Sequence, residues 1–120
     1  MNLARMLIVA MTTTVLSGCA ALPQQEGEQD LAAGIKNYEE GKDDDAARSM
    51  QASLYLGLSE SDQIKAHKYL AFIYCASGRE SQCREEFRKA LAIDPSFELN
   101  PTEAGHPVWG PVFRSVKSPR

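Results

Sequence analysis

Residues 66–95, AHKYLAFIYCASGRESQCREEFRKALAIDP, constrain the fold more than any other part of this chain of 120 residues. Apolar side chains recur at spacings of three and four in both halves of the segment, at Leu70, Ala71, Tyr74, Phe87, Ala90 and Leu91. This spacing is typical of amphipathic helices. Gly78 lies between the halves and favours a turn, because glycine readily adopts the left-handed conformation that ends a helix. Pro95 ends the second half because it has no amide hydrogen. The segment therefore predicts a helical hairpin.

The order of large, small, aromatic and proline residues in this hairpin resembles that of the tetratricopeptide repeat, a helix-turn-helix family. The positions in register are Leu70, Ala71, Tyr74, Gly78, Phe87, Ala90 and Pro95. Two positions differ, since His67 stands where the family often has tryptophan and Cys83 where it usually has alanine. The resemblance implies an all-α fold in which residues 62–95 form one tetratricopeptide-like hairpin.

Residues 30–58 contain a weaker copy of the same pattern. Its two arms and its turn are marked by Leu31, Ile35, Tyr38, Gly41, Ala46, Ala47, Met50 and Leu54. We therefore expect a second, degenerate hairpin. Asp43, Asp44 and Asp45 follow its turn, but successive helical residues point about 100° apart and cannot converge on one metal ion. Their expected role is to complement the positive end of the second helix.

Residues 96–120 form an extension of different composition. Pro101, Gly105 and Pro107 exclude a long helix in its first half. Apolar residues then recur at helical spacing, at Val108, Trp109, Val112, Phe113 and Val116. Pro111 is compatible with a helix only in the first turn, so we expect a short helix to begin near Pro107. Such a terminal helix would cover the exposed face of the last hairpin and bury Trp109 against it.

Residues 1–18 have the layout of a secretory signal, with Arg5 before an apolar stretch and small residues at the end. Leu16-Ser17-Gly18-Cys19 resembles a bacterial lipobox, which implies that Cys19 carries lipid and begins the mature chain. An ordinary signal cut at another bond is the alternative. Residues 19–29 are rich in glutamine and acidic residues, and predict a flexible tether. Ala20, rather than aspartate, follows the cysteine, and by resemblance to enterobacterial lipoproteins this implies an outer-membrane anchor facing the periplasm.

Composition and motifs argue against several classes of function. The net charge is −3 and no basic patch is present, which disfavours nucleic-acid binding. No nucleophile elbow, phosphate-binding glycine loop or His-Glu-x-x-His motif occurs, so we expect no catalytic residues, cofactor or small-molecule substrate. His67, His106, Cys75 and Cys83 could be imagined as a zinc site, but they lack the compact spacings that zinc sites favour.

Cys75 and Cys83 remain as a pair once Cys19 is lipidated, in a compartment where disulfides form and persist. They lie about one turn before and one turn after the predicted bend, so antiparallel helices bring them to similar heights. Helix axes 8–10 Å apart permit a bridge if both side chains face inward. We expect a disulfide, the alternative being two small buried thiols.

A protein-binding groove is the remaining candidate site. In tetratricopeptide proteins the first helices of successive repeats line a concave groove that receives a partner segment. Carried over by position, this lining would be Leu31, Ile35, Tyr38, Lys65, Lys68 and Phe72. Tyr69, Phe72 and Ile73 give their helix more apolar surface than one buried face needs. That helix is therefore either central in the fold or partly a docking site.

The chain also resembles the small repeat-containing lipoproteins associated with type VI secretion systems, the TssQ-like group. The most specific shared features are Tyr74-Cys75, Gly78-Arg79, Cys83 and the run Gly105-His106-Pro107-x-Trp109-Gly110-Pro111-Val112-Phe113. The resemblance implies a non-enzymatic accessory role at an envelope-spanning secretion apparatus. Two alternatives remain open, a pilotin or assembly lipoprotein of a pilus or secretin, and a regulator or adaptor of a cell-wall enzyme.

Overall fold

The computed structural model describes residues 22–118 as six helices. In chain order they are α1 (Pro23–Glu39), α2 (Asp43–Leu56), α3 (Glu60–Ala76), α4 (Glu80–Ile93), α5 (Pro101–Ala104) and α6 (Trp109–Lys117). The fold is all-α, as predicted, with two helical hairpins and a short C-terminal helix. Between residues 22 and 118, no helix has the length and apolar character needed to cross a membrane. The predicted signal sequence and Cys19 lie outside the described residues.

Helices α1 and α2 form the first hairpin around a close contact between backbones. Gly41 makes the turn with φ of 76°, a conformation that glycine adopts at little cost. Gly34 is buried, and a Cβ added there would lie 2.8 Å from Cγ of Met50. The absence of a side chain at position 34 therefore lets α2 approach α1. Asp43, Asp44 and Asp45 occupy the first turn of α2, where negative charge is favourable.

The predicted tether is wrong for residues 23–29, because α1 begins at Pro23. Proline suits the first position of a helix, since its missing amide has no partner there in any case. Gly27 then packs so closely on the end of α2 that an added Cβ would lie 2.4 Å from the carbonyl oxygen of Gly57. Close packing of Gly27 on the end of α2 thus holds this polar segment on the hairpin. The remainder of the predicted tether, residues 19–21, lies outside the described residues.

Helices α3 and α4 form the second hairpin, and α3 is the central element. Ser59 caps α3 by accepting a hydrogen bond from the amide of Asp62. Helix α3 contacts α1, α2, α4 and α6, and seven of its residues are buried. Phe72 and Ile73 are 2% and 4% exposed. The interpretation of α3 as central in the fold therefore accounts for its additional apolar surface.

The C-terminal extension folds back on the second hairpin. Helix α6 begins at Trp109, so Pro111 falls within its first turn as expected. Phe113 of α6 packs edge-on against Phe87 of α4, with ring centroids 5.1 Å apart. The short helix α5 was not predicted. It is stabilised by a capping box, in which Asn100 and Glu103 each accept a hydrogen bond from the other's backbone amide.

A candidate partner-binding groove

The six predicted groove residues have different surroundings in the structure. Leu31 and Phe72 are 4% and 2% exposed and belong to the core, so the prediction that they line an open groove is wrong. Ile35, Tyr38 and Lys68 are partly buried, and Lys65 is exposed. Positions carried over from other repeats identify the helix face, but in this chain the C-terminal extension covers much of it.

Aromatic rings connect α1, α3 and α6 across this face. The ring of Tyr38 meets that of Tyr69 edge-on at 5.1 Å, and Tyr69 meets Phe72 edge-on at 6.0 Å. Phe72 in turn stacks on Trp109 at 4.3 Å. Such pairs contribute about 0.5–1.5 kcal/mol each beyond the area they bury. The groove prediction omitted Tyr69. The sequence had nevertheless indicated Tyr69 as part of the additional apolar surface of α3.

Lys68 is the cation of this face. Its Nζ lies 2.8 Å from Oε2 of Glu103, with both side chains 17% exposed, and 4.9 Å from the centroid of the Tyr69 ring. Burial raises the pKa of Tyr69, and the negative charge of Glu103 raises it further. The pKa of Tyr38 is raised mainly by burial, with smaller contributions from Asp43, Tyr69 and, least, Glu103. The carboxylate of Glu103 therefore acts on both tyrosines as well as on Lys68.

Trp109 closes the other end of the face. Its indole Nε1 donates a hydrogen bond to the carbonyl oxygen of Glu103 at 3.0 Å. The His106 ring stacks on the opposite side of the indole, with centroids 3.4 Å apart. Trp109 thus packs on Phe72 of the second hairpin, as predicted, but it is partly rather than fully buried. The sequence signal in this segment was Asn-x-x-Glu at Asn100, a capping-box pattern that indicates the start of α5 but not the stacking of Trp109.

An open cleft of about 520 Å³ lies beside Lys68, between the start of α3 and the end of α4. Its apolar lining comes from Ile64, Ile93 and Phe97, and its charged lining from Lys65, Lys68, Glu60 and Asp94. We call it the α3–α4 cleft. A segment that reached Lys68 would therefore find apolar side chains next to it, with charged groups of both signs at the edge of the cleft.

His67 forms a short hydrogen bond with Glu86 at the position where tetratricopeptide repeats often have tryptophan. Its Nδ1 lies 2.6 Å from Oε2 of Glu86, and Lys89 donates to the other carboxylate oxygen at 3.1 Å. Burial alone would raise the pKa of Glu86, but the hydrogen bonds from His67 and Lys89 outweigh it and lower the pKa. The pair joins α3 to α4, so it has a structural role in the hairpin.

The structure contains the expected disulfide between Cys75 and Cys83, whose Cα atoms are 5.2 Å apart. Both cysteines are therefore bonded to each other. The four residues considered as a zinc site take part in three separate interactions. His67 pairs with Glu86, whereas His106 stacks on Trp109. Within residues 22–118, no three histidine, cysteine or acidic side chains come together as metal ligands.

Two antiparallel helical hairpins closed by a terminal helix define the chain as a helical-repeat scaffold, a class that typically binds other proteins without catalysing a reaction. The family comparison matches one unit, a tetratricopeptide repeat at residues 64–97. These residues include α4, most of α3 and the turn at Gly78, where φ is 78°. No curated protein and no solved structure matches the chain.

Proposed function

We propose that this protein is a non-enzymatic lipoprotein of the outer membrane that faces the periplasm and acts as an accessory, protein-binding component of a type VI secretion system. The observation that carries the protein-binding part is the tetratricopeptide repeat at residues 64–97, which packs on the helical hairpin of α1 and α2. Helical-repeat scaffolds present extended surfaces to other proteins. The candidate surface here is the face of α1 and α3 that carries Tyr38, Lys68, Tyr69 and Phe72, which we call the groove face.

Two features support a periplasmic location. The chain begins with a signal-like segment that ends in a lipobox-like sequence at Cys19. The domain also has a disulfide between Cys75 and Cys83, a bond that persists in the periplasm and is rare in the cytosol. Acyl chains on Cys19 would supply the membrane contact by burying methylene groups, at about 0.8 kcal/mol each.

The assignment to type VI secretion rests on resemblance in residues that have a clear structural role here. Cys75 and Cys83 form the disulfide of the second hairpin. Trp109 stacks on the groove face, and Gly110 packs so closely on α5 that an added Cβ would lie 2.4 Å from the carbonyl oxygen of Ala104. The features shared with the TssQ-like group thus include those that hold the C-terminal extension in place.

Co-purification from membranes tests this proposal. The chain, tagged at its C-terminus and expressed in its own host, would be extracted from separated membranes with a mild detergent, and its companions identified by mass spectrometry. We expect outer-membrane fractionation and recovery of envelope components of the secretion apparatus. The matched control is Cys19→Ala, which should lose both the membrane fraction and these companions.

Three results would contradict the proposal. Recovery of pilus or secretin components alone would favour the pilotin alternative, and retention on purified sacculi would favour the cell-wall alternative. Membrane-bound, processed protein from the Cys19→Ala variant would show that Cys19 is not the anchor.

A further inference from the structure

Residues 100–109 form a flap over the groove face, and they are anchored on both sides. Leu99 precedes the flap and is 7% exposed, and Val112 follows it and is 8% exposed. Between these anchors α5 contains no buried residue. The flap is therefore held less firmly than the segments at either end.

Most of the flap's interactions are with α6 rather than with the hairpins. Among helices of residues 22–118, α5 packs only on α6. The guanidinium of Arg114 donates to the carbonyl oxygen of Ala104 at 3.2 Å, and Gly110 leaves room for that contact. The flap reaches the groove face through two side chains, Glu103 on Lys68 and Trp109 on Phe72.

The cap on the last hairpin does not depend on these two contacts. Phe113 of α6 packs on Phe87 of α4 at 5.1 Å and on Phe97 at 5.7 Å. Lys117 adds a hydrogen bond to the carbonyl oxygen of Phe97. Because α6 has its own apolar contacts with α4 and Phe97, the side chains of Glu103 and Trp109 can leave the groove face while the rest of α6 still covers α4.

The face beneath the flap has a definite chemistry. It presents a cation, Lys68, beside the edge-packed rings of Tyr69 and Phe72, with Tyr38 next to them. In this structure the carboxylate of Glu103 and the indole of Trp109 contact this face. One oxygen of Glu103 caps α5 and the other pairs with Lys68, so the carboxylate bridges the flap and the groove.

We propose that this face is the docking site for a partner protein segment that carries a carboxylate and an aromatic side chain, and that the flap occupies the site in the free protein. This inference rests on the proposed protein-binding function. It adds the chemistry of the partner and a regulatory step, because the partner must displace Glu103 and Trp109 to bind. The α3–α4 cleft beside Lys68 would receive an apolar residue of the same segment.

Displacement has a predictable effect on affinity. A segment tethered next to its site acts at an effective concentration on the order of millimolar. A partner can bind only those molecules whose flap is open. Its apparent affinity for the free protein is therefore lowered in proportion to the open fraction. Emptying the site should raise the affinity for a segment of matching chemistry.

A peptide with the flap's own sequence provides the probe. Fluorescein-labelled LNPTEAGHPVWG, residues 99–110, would be titrated by anisotropy into the full chain purified in detergent. The recipient variant is Glu103→Gln with Trp109→Ala, in which glutamine preserves the capping box. We expect it to bind the peptide at least roughly tenfold more tightly than the wild-type chain does. Adding Lys68→Ala, or using a peptide with glutamine in place of glutamate, should remove that gain.

Equal binding to the wild-type chain and the folded variant, or no binding to the variant, would overturn the inference. If the double variant does not fold, Glu103→Gln alone decides, because Trp109 is the single tryptophan and its quenching by acrylamide reports flap opening. Increased quenching relative to wild type supports the inference and unchanged quenching contradicts it. Neither arm uses the secretion apparatus, so a failed co-purification and a failed peptide test are distinguishable.

Discussion

Reduction of the disulfide between Cys75 and Cys83 should lower the free energy of unfolding by a calculable amount. The two cysteines are separated by 8 positions in sequence. Closing a loop of that size removes about 8 cal/mol/K of entropy from the unfolded chain, or about 2.5 kcal/mol at 25 °C in the chain-entropy model. Reduction keeps both sulfur atoms in the core, so it removes the constraint without creating a cavity.

Urea unfolding with and without a reducing agent measures this effect. A loss of about 2.5 kcal/mol corresponds to a fall of about 1–2 M in the urea midpoint of a domain this small. The matched control is the double variant Cys75→Ala with Cys83→Ala, whose midpoint should not respond to the reducing agent. Its midpoint should lie at or below that of the reduced wild-type chain, since the substitutions also remove buried sulfur atoms.

A midpoint that changes by less than about 0.3 M on reduction would refute the reasoning, since it would show that the bridge constrains the unfolded chain very little. Equal sensitivity of wild type and the double alanine variant would also refute it, because the reducing agent would then act elsewhere.

Three further substitutions test other contacts by urea unfolding. Gly27→Ala should destabilise the protein by about 1–3 kcal/mol, because the new Cβ meets a backbone oxygen, whereas an exposed helical glycine would be stabilised by alanine; any stabilisation would contradict the close packing of α1. Trp109→Ala should cost about 2–3 kcal/mol, less than a fully buried aromatic, because the indole is partly exposed but stacks on Phe72; an unchanged midpoint would show that the extension is free. Glu86 has a lowered pKa in the folded state, so its contribution to stability is present above its ordinary value of 4.5 and is lost as the pH falls through the lowered pKa. Glu86→Gln should therefore be less stable than wild type near neutral pH and approach it in acid, and a constant difference would exclude the charge of the Glu86 carboxylate as the cause.

The second hairpin could be predicted closely because its signals are local. Gly78 supplies the turn, and the periodic apolar residues on each side identify the faces that meet. The same geometry placed Cys75 and Cys83 opposite each other across the turn. Where local spacing and turn chemistry agree, the sequence specifies the structure with little need for tertiary information.

The start of α1 could not be predicted from composition, because a polar segment with a glycine is typical of a linker. Gly27 instead serves a contact with the backbone of Ser53 and Gly57, which only the folded structure reveals. Tertiary packing thus overrode the local preference of residues 23–29. Such an effect is common for short polar helices whose stability comes from packing.

The groove was predicted as a helix face but not as an occupied one. The resemblance to tetratricopeptide repeats identified, by position, the face that includes Tyr38, Lys68 and Phe72. It could not reveal that Glu103 and Trp109 cover that face, because this depends on the path of an extension interrupted by two prolines before its last helix. The local signal for α5, the capping box at Asn100, specifies a helix end but not its neighbour.

Site-specific photo-crosslinking in the host cell tests the central claim most directly, namely that the face of α1 and α3 binds a partner of the envelope secretion apparatus. A photoreactive phenylalanine analogue would replace Tyr69 on this face, and in a control it would replace Tyr55, which is 91% exposed on α2. The account predicts an adduct with a secretion-apparatus protein from position 69 and none from position 55. An adduct from position 55 alone, or adducts from position 69 only within the chain itself, would contradict it.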